Sequence, residues 1–246
     1  MSTPWKRLLA LLEDPGALRA WLSWPKFSFT AYRMCTRLAR QDVRPRTVLD
    51  VGANVGQFAV AAAHIFPGVQ VISFEPEPAS FARLQGNIRR LPQVEAHALA
   101  VGDLPGQVEF HVNAYSPSSS ILPLGETHRQ AFPFAREADL IRVTQVRLDD
   151  FLAGREFRPP VLMKIDVQGY EDHVLRGATR TLACSDYVLM ETSFSPLYQG
   201  EQAFRQVLER MEALGFSFLR PLDFVDHPHT GEILQMDALF RRLPPG

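Results

Sequence analysis

The sequence predicts an α/β fold built on a doubly wound, mostly parallel sheet, and three observations carry that expectation. Apolar, β-favouring runs alternate with helical patterns through residues 48–101 and again through residues 161–214. Several runs end at or beside an acid and a turn, among them Asp50, Glu75 and Asp103. The run at 161–167, V-L-M-K-I-D-V, is apolar on both faces apart from Lys164 and Asp166, as expected of a strand covered on both sides. A chain of 246 residues, 46% hydrophobic and 22% charged, has room for one such domain plus an appendage.

In chain order, residues 5–40 carry apolar side chains at helical spacing, broken by Pro15-Gly16 and Trp24-Pro25 into short helices. With no glycine- or serine-rich linker before Thr47, they read as an N-terminal helical appendage or lid, residues 1–40, on a main domain of residues 41–246. Trp5, Trp21 and Trp24 would also suit a membrane surface; packing on the domain, as a lid or a homodimer face, is preferred. Residues 48–51 form a strand, residues 52–56 a tight turn, and Gln57, Phe58, Val60 and Ala61 open a helix. A second strand at 69–74 runs into the prolines of 75–78 and a helix over 79–91. Residues 94–101 read as a third strand. Residues 107–113 alternate as a strand, residues 127–140 have weak helical character, and residues 141–148 are strand-like, so the middle reads as an insertion covering the substrate side. A helix over 171–182, a strand at 187–191, an amphipathic helix over 203–214 stopped by Gly215, and a closing pair at 216–219 and 236–240 complete the chain.

Composition narrows function. With 26 basic against 27 acidic residues and a net charge of −1, the chain has no broad footprint for nucleic acid. Cys35 and Cys184 stand far apart without zinc spacing and read as two reduced, buried thiols of a cytoplasmic protein. No segment has the ~18 consecutive apolar residues of a membrane span, and the run at residues 8–12 is too short for a signal peptide core. Stable membrane insertion is not expected.

The turn after the first strand indicates nucleotide-like chemistry. Gly52 and Gly56 allow close backbone approach, and the next helix points its first amides at whatever sits there. Their spacing is G-x-x-x-G, with Asn54 between and Asp50 ahead. That differs from the G-x-G-x-x-G of dinucleotide sites and looks like the first motif of class I methyltransferases, which bind S-adenosylmethionine. A NAD-dependent oxidoreductase stays open, as does a non-catalytic module that keeps the fold and binds partners through its N-terminal helices. The acids Asp50, Glu75, Asp103, Asp166 and Glu191 fall at predicted strand ends and are expected to line one crevice. Glu75 suits the paired hydroxyls of a ribose, although a helix-terminal acid would stand in the same place.

Together, D-V-G-A-N-V-G at 50–56, F-E-P at 74–76, A-V-G-D at 100–103, S-S-S at 118–120 and K-I-D-V-Q-G-Y-E at 164–171 resemble, in order and spacing, the FkbM family of methyltransferases. The resemblance spans residues 47–220. It implies a class I Rossmann-like fold, with a seven-stranded, mostly parallel sheet and an antiparallel closing strand. It implies methyl transfer from S-adenosylmethionine to a hydroxyl of a sugar, polyketide or other natural product, so the partner is a small-molecule or glycan acceptor. Carried onto this chain, Asp50, Gly52, Ala53, Asn54 and Gly56 would hold the methionine end of the cofactor. Glu75 and Pro76 would hold its ribose, and the Ala100, Val101, Gly102, Asp103 turn its adenine, with Ser119 and Asp166 completing the set. Gln168 stands where many family members have Glu, which weakens any role for position 168 as a catalytic acid.

Methyl transfer to an alcohol requires alignment and removal of a proton. The candidate bases are Asp166, Glu171 and His173, with Asp166 favoured, and Lys164 could stabilise an alkoxide. Each has an alternative. Lys164 could be half of a buried ion pair with Glu191 or Asp166, His173 a helix-surface side chain, and Glu171 a first-turn acid. Asp166 and Glu191 could together hold a divalent metal, which is not favoured. The 118–120 loop could close over ligand or be a flexible turn.

Overall fold

A computed structural model of the chain describes residues 14–114, 116–132, 137–227 and 230–244. The apolar run expected at residues 8–12, and with it Trp5, lies outside them. Helix α1 (Pro15–Ser23) starts where the Asp14 carboxylate accepts from the amides of Gly16 and Ala17, and α2 (Phe29–Arg40) where Ser28 caps Ala31. α2 buries Ala31, Tyr32, Met34, Cys35 and Leu38. It is tied to the far edge of the sheet by the Arg33–Asp223 ion pair at 2.9 Å and by Arg37 donating to the Leu222 carbonyl.

The main sheet contains β1 (Thr47–Val51), β2 (Gln70–Phe74), β3 (Val94–His97), β7 (Val161–Ile165), β8 (Tyr187–Ser193), β9 (Phe216–Asp226) and β10 (Ile233–Arg242). Its order is β3-β2-β1-β7-β8-β10-β9. β1 pairs in parallel with both β2 and β7, while β10 runs antiparallel between β8 and β9. The chain winds outward from β1 to β3 and then returns to β7, which makes the β1/β7 boundary a topological switch point. Helices α3 (Gln57–Ile65) and α4 (Pro78–Ile88) follow β1 and β2. α7 (Glu171–Gly177) and α8 (Thr179–Ala183) lie between β7 and β8, and α9 (Phe204–Ala213) follows β8.

Period-two alternation sorts the strands onto two cores. Val48, Leu162 and Leu189 share a cluster with Ala31 and Leu38 of α2 and Phe58 and Val60 of α3. Leu49, Met163 and Val188 join Val174, Leu182 and Met211 on the opposite face.

The middle of the chain differs from the expectation. Residues 94–101 are not one strand: β3 ends at His97, and Ala100–Val101 (β4) crosses to a second sheet. There β4 pairs with β6 (Glu137–Val146), and β6 with β5 (Gly106–Asn113). The weakly helical 127–140 stretch is a short helix, α5 (Glu126–Ala131), followed by the start of β6. A one-turn helix, α6 (Leu148–Phe151), precedes β7. The expected helix over 171–182 breaks after Gly177, where a Cβ would stand 1.9 Å from the Gly102 carbonyl oxygen. Lys164 is buried beside Asp166, in keeping with its reading as half of a buried ion pair. Both cysteines are free, but only Cys35 is buried; Cys184 is exposed.

Candidate active site

The turn after β1 is held in a conformation that few residues adopt. Gly52 has φ +82°, Asn54 φ 48° and Gly56 φ 87°. The amides of Gly52 and Ala53 both donate to the Phe74 carbonyl at the end of β2. A Cβ at Gly52 would sit 1.8 Å from the Asp166 carbonyl oxygen, so the turn closes directly on the end of β7. Next to it Glu75 accepts from the Asn54 amide at 2.7 Å and the Glu77 amide at 2.9 Å. Burial nevertheless pushes its carboxyl up to about 7, outweighing those two bonds. Glu77 in turn caps α4 by accepting from Ala79 and Ser80.

A cavity of about 760 Å³ opens at the switch point. Of the residues singled out in the sequence, Gly52, Ala53, Asn54, Glu75, Pro76, Ala100, Val101, Ser119, Lys164 and Asp166 line it. Asp50, Gly56, Gly102, Asp103, Glu171 and His173 do not. Asp50 is fully buried behind the turn. Its carboxylate lies 3.6 Å from Lys164 Nζ and accepts from Ser73 Oγ at 3.4 Å, and burial raises its pKa against the pull of Lys164. Gly56 caps α3, and Gly102 packs on the Gln145 side chain. Asp103 pairs with His173 Nδ1 at 3.1 Å, and the His173 ring stacks on Tyr170 with centroids 4.1 Å apart. This clasp joins the β4 turn to α7 outside the cavity. Glu171 is buried, accepting from the amides of Val167 at 3.0 Å and Gly169 at 3.2 Å, and burial raises it to about 8.

The opposite wall is a polar network at the ends of β7 and β8. Lys164 Nζ lies 3.1 Å from Asp166, so its partners are Asp166 and Asp50. Burial would lower the Lys164 ammonium, but the two carboxylates outweigh it and hold its pKa above the ordinary value. Gln168, at φ 60°, donates from Nε2 to Asp166 Oδ1 at 2.8 Å and to Glu191 Oε2 at 2.6 Å. Its Oε1 accepts from the buried Tyr198 hydroxyl at 2.7 Å. Burial, reinforced by Asp166 and Asp237, holds Glu191 well above the usual carboxylate range.

Sequence reasoning missed Tyr198, discounted Gln168, and read Glu191 as a strand-end acid that could pair with Lys164 or share a metal with Asp166, not as a partner of Gln168. The N-terminal helices and the middle insertion, read as coverings, supply Ser28 ahead of α2, Thr30 and Met34 within it, and His128 and Phe132, while Phe224 to Asp226 from the end of β9 were missed. Gln168 lies inside a motif and could have been found; Tyr198 gives no local signal. Among the described residues no group of three or more His, Cys, Asp or Glu could hold a metal ion. No helix among them is long and apolar enough to cross a membrane.

S-adenosylmethionine fits these residues. The backbone of Gly52, Ala53 and Asn54 lines the cavity with no bulky side chain at its first position, and each Glu75 oxygen keeps a lone pair for a ribose hydroxyl. A cavity of this size suits a ligand of that class. The strand order, the antiparallel β10 and the glycine turn facing the buried Glu75 define a class I S-adenosylmethionine-dependent methyltransferase.

Comparison with known proteins gives the family. Residues 50–218 match the model of the methyltransferase FkbM domain, and the chain belongs to that family of S-adenosylmethionine-dependent O-methyltransferases. It is 29% identical over 169 residues to the 2-O-methyltransferase NoeI of Sinorhizobium fredii, covering 66% of this chain and 69% of the relative. It is 27% identical over 204 residues to the 31-O-demethyl-FK506 methyltransferase FkbM of Streptomyces tacrolimicus, covering 74% and 77%. Among solved structures it is similar, at 15% identity and a TM-score of 0.49, to Burkholderia thailandensis 1,6-didemethyltoxoflavin-N1-methyltransferase, covering 99% of this chain and 92% of that one. The family match displaces the nicotinamide reading left open by the glycine turn.

Proposed function

We propose that this chain methylates a hydroxyl of a sugar, polyketide or related natural product, with Asp166 as the group that takes the acceptor's proton. The observation that carries the reading is one cavity lined by the Gly52–Glu75 turn on one side and by Lys164 and Asp166 on the other. The O-methylation named for the two relatives supports a hydroxyl acceptor. When bound, S-adenosylmethionine supplies a methyl group already activated on a sulfonium. The chain itself must orient the hydroxyl and accept its proton. Asp166 is cavity-lining and held in one orientation by Lys164 and Gln168. Lys164 keeps its charge and offsets negative charge developing beside it. Glu171, with its carboxylate turned to backbone amides, and His173, in its clasp with Asp103, are better read as supports of the β7–α7 turn. Within the N-terminal appendage, α2 acts as a wall of the acceptor half.

Calorimetry with S-adenosylhomocysteine tests the cofactor half. Glu75→Ala should weaken binding by about 1–3 kcal/mol, and unchanged affinity would remove Glu75 from the ribose site. Asp166→Asn should bind the same ligand within a few-fold yet lose at least about 100-fold in methyl transfer. Full turnover by that variant would reject Asp166 as the base.

A further inference from the structure

His128 is a buried polar side chain that the roles above leave unused. It sits on α5 with 4% of its surface exposed, yet neither ring nitrogen has a hydrogen-bond partner among the described residues. Buried polar atoms on Asn113, Gln145 and Arg210 also lack partners, but His128 alone among the residues in that condition lines the cavity. Two edge contacts fix its ring, with centroids 5.2 Å from Phe132 and 5.2 Å from Tyr198. Tyr198 holds Gln168, and Gln168 holds Asp166 and Glu191. His128 is therefore joined, through Tyr198 and Gln168, to the side chains that hold Asp166.

Burial lowers the imidazole to about 4, so at neutral pH it offers one N–H donor and one bare nitrogen. A neutral ring buried with both groups unsatisfied is costly in the free chain. A ligand hydroxyl, able to donate or accept, can satisfy whichever ring nitrogen faces it and so removes part of that cost.

We propose that His128 is an acceptor-binding residue whose imidazole hydrogen-bonds a hydroxyl of the methyl acceptor beside Asp166. The inference rests on the hydroxyl-acceptor reading above. It assigns α5 a recognition role and makes His128 a specificity determinant: acceptors without a hydroxyl at that point leave the ring unsatisfied.

The test compares the full-length wild type with His128→Phe, which keeps the aromatic edges and removes the nitrogens, and with His128→Asn, which keeps a donor and an acceptor. Three readouts are taken: melting temperature, calorimetry with S-adenosylhomocysteine, and methyl transfer to N-acetylglucosamine oligosaccharides, glucuronic acid and a macrolide polyol. His128→Phe is expected to melt no lower than wild type, to bind S-adenosylhomocysteine within twofold, and to lose at least about 50-fold in kcat/KM on any acceptor the wild type methylates. His128→Asn should recover part of that loss. A His128→Phe variant that keeps kcat/KM within threefold, or whose melting temperature falls along with its activity, overturns the assignment. A wild type that binds S-adenosylhomocysteine but methylates none of the three probes counts against the hydroxyl acceptor and the His128 role together. Failure of the wild type to bind S-adenosylhomocysteine strikes instead at the methyltransferase reading.

Discussion

Gly52 shows how one atom sets the site. Its φ of +82° lies in the region L side chains rarely adopt, and its missing Cβ leaves the Asp166 carbonyl oxygen room that a methyl group would occupy at 1.8 Å. Gly68 shares the conformation, at φ +73°, but has nothing within 4 Å of where a Cβ would stand. The pair therefore separates backbone strain from close approach. Gly68→Ala should cost about 1 kcal/mol, the ordinary penalty of a left-handed residue. Gly52→Ala should cost at least about 3 kcal/mol, because β1 and β7 must also move apart. Urea denaturation midpoints measure both, and equal losses would show that the contact with β7 is relieved without effect. Gln168 and Asn54 carry similar strain without being glycine, at φ 60° and 48°. Both have polar side chains that tolerate this region better than branched ones, and both stand on the cavity wall.

At the scale of elements, the turn between β7 and α7 is where a recognised motif and its physical job differ most. The acid of K-I-D-V-Q-G-Y-E at position 171 reads in sequence as a candidate base, but its carboxylate accepts the amides of Val167 and Gly169. An amide oxygen can accept the same two bonds. Glu171→Gln should thus keep stability within about 1 kcal/mol and retain methyl transfer, whereas Glu171→Ala should lose about 2–3 kcal/mol by stranding two buried amides. Loss of turnover in the Gln variant with its fold intact would return Glu171 to the chemistry. The same contrast explains what was legible. The central strands were readable because each is apolar on both faces, and the cofactor turn because its requirements are local: glycines at fixed spacing and an acid at the next strand end. The split of residues 94–101 between two sheets was not, since Ala100 and Val101 are as apolar as the strand before them and their partners, Gln145 and Val146, lie far along the chain. The rest of the cavity was legible only as covering segments, not as residues, for the same reason. α2, the 116–119 loop, α5 and the end of β9 meet there, and no short-range pattern records which residues of four distant segments will face one another.

For the whole molecule, the buried acids set how stability depends on pH. Glu75 is raised to about 7, and Glu171 and Asp237 to about 8, with burial the leading cause in each; Glu191 is raised in the same direction. In the unfolded chain these groups titrate near the ordinary carboxylate values. A folded-state pKa above the unfolded one means that the native state holds the proton more tightly. The stability this gives is complete below about pH 4 and is lost as pH rises through the folded values. His128 has the opposite sign: its folded value of about 4 lies below that of a free imidazole, so its contribution falls as pH drops below about 6.5. Lys164 stays charged throughout this range and adds no slope within it. The net expectation is a free chain most stable at mildly acidic pH, with its unfolding free energy falling by more than about 2 kcal/mol between pH 6 and pH 8.5. Urea denaturation at pH 5, 6, 7 and 8.5 without ligand measures the curve. Glu171→Gln, which removes one of the raised carboxyls, should flatten its alkaline limb. A stability that rises steadily from pH 6 to pH 8.5 would show that these carboxyls are ionised and better solvated than their burial implies. On the ribose assignment of Glu75, hydroxyls donating to its ionised form should make S-adenosylhomocysteine flatten the decline further when present, coupling the filled cofactor half to a charge that the free fold resists.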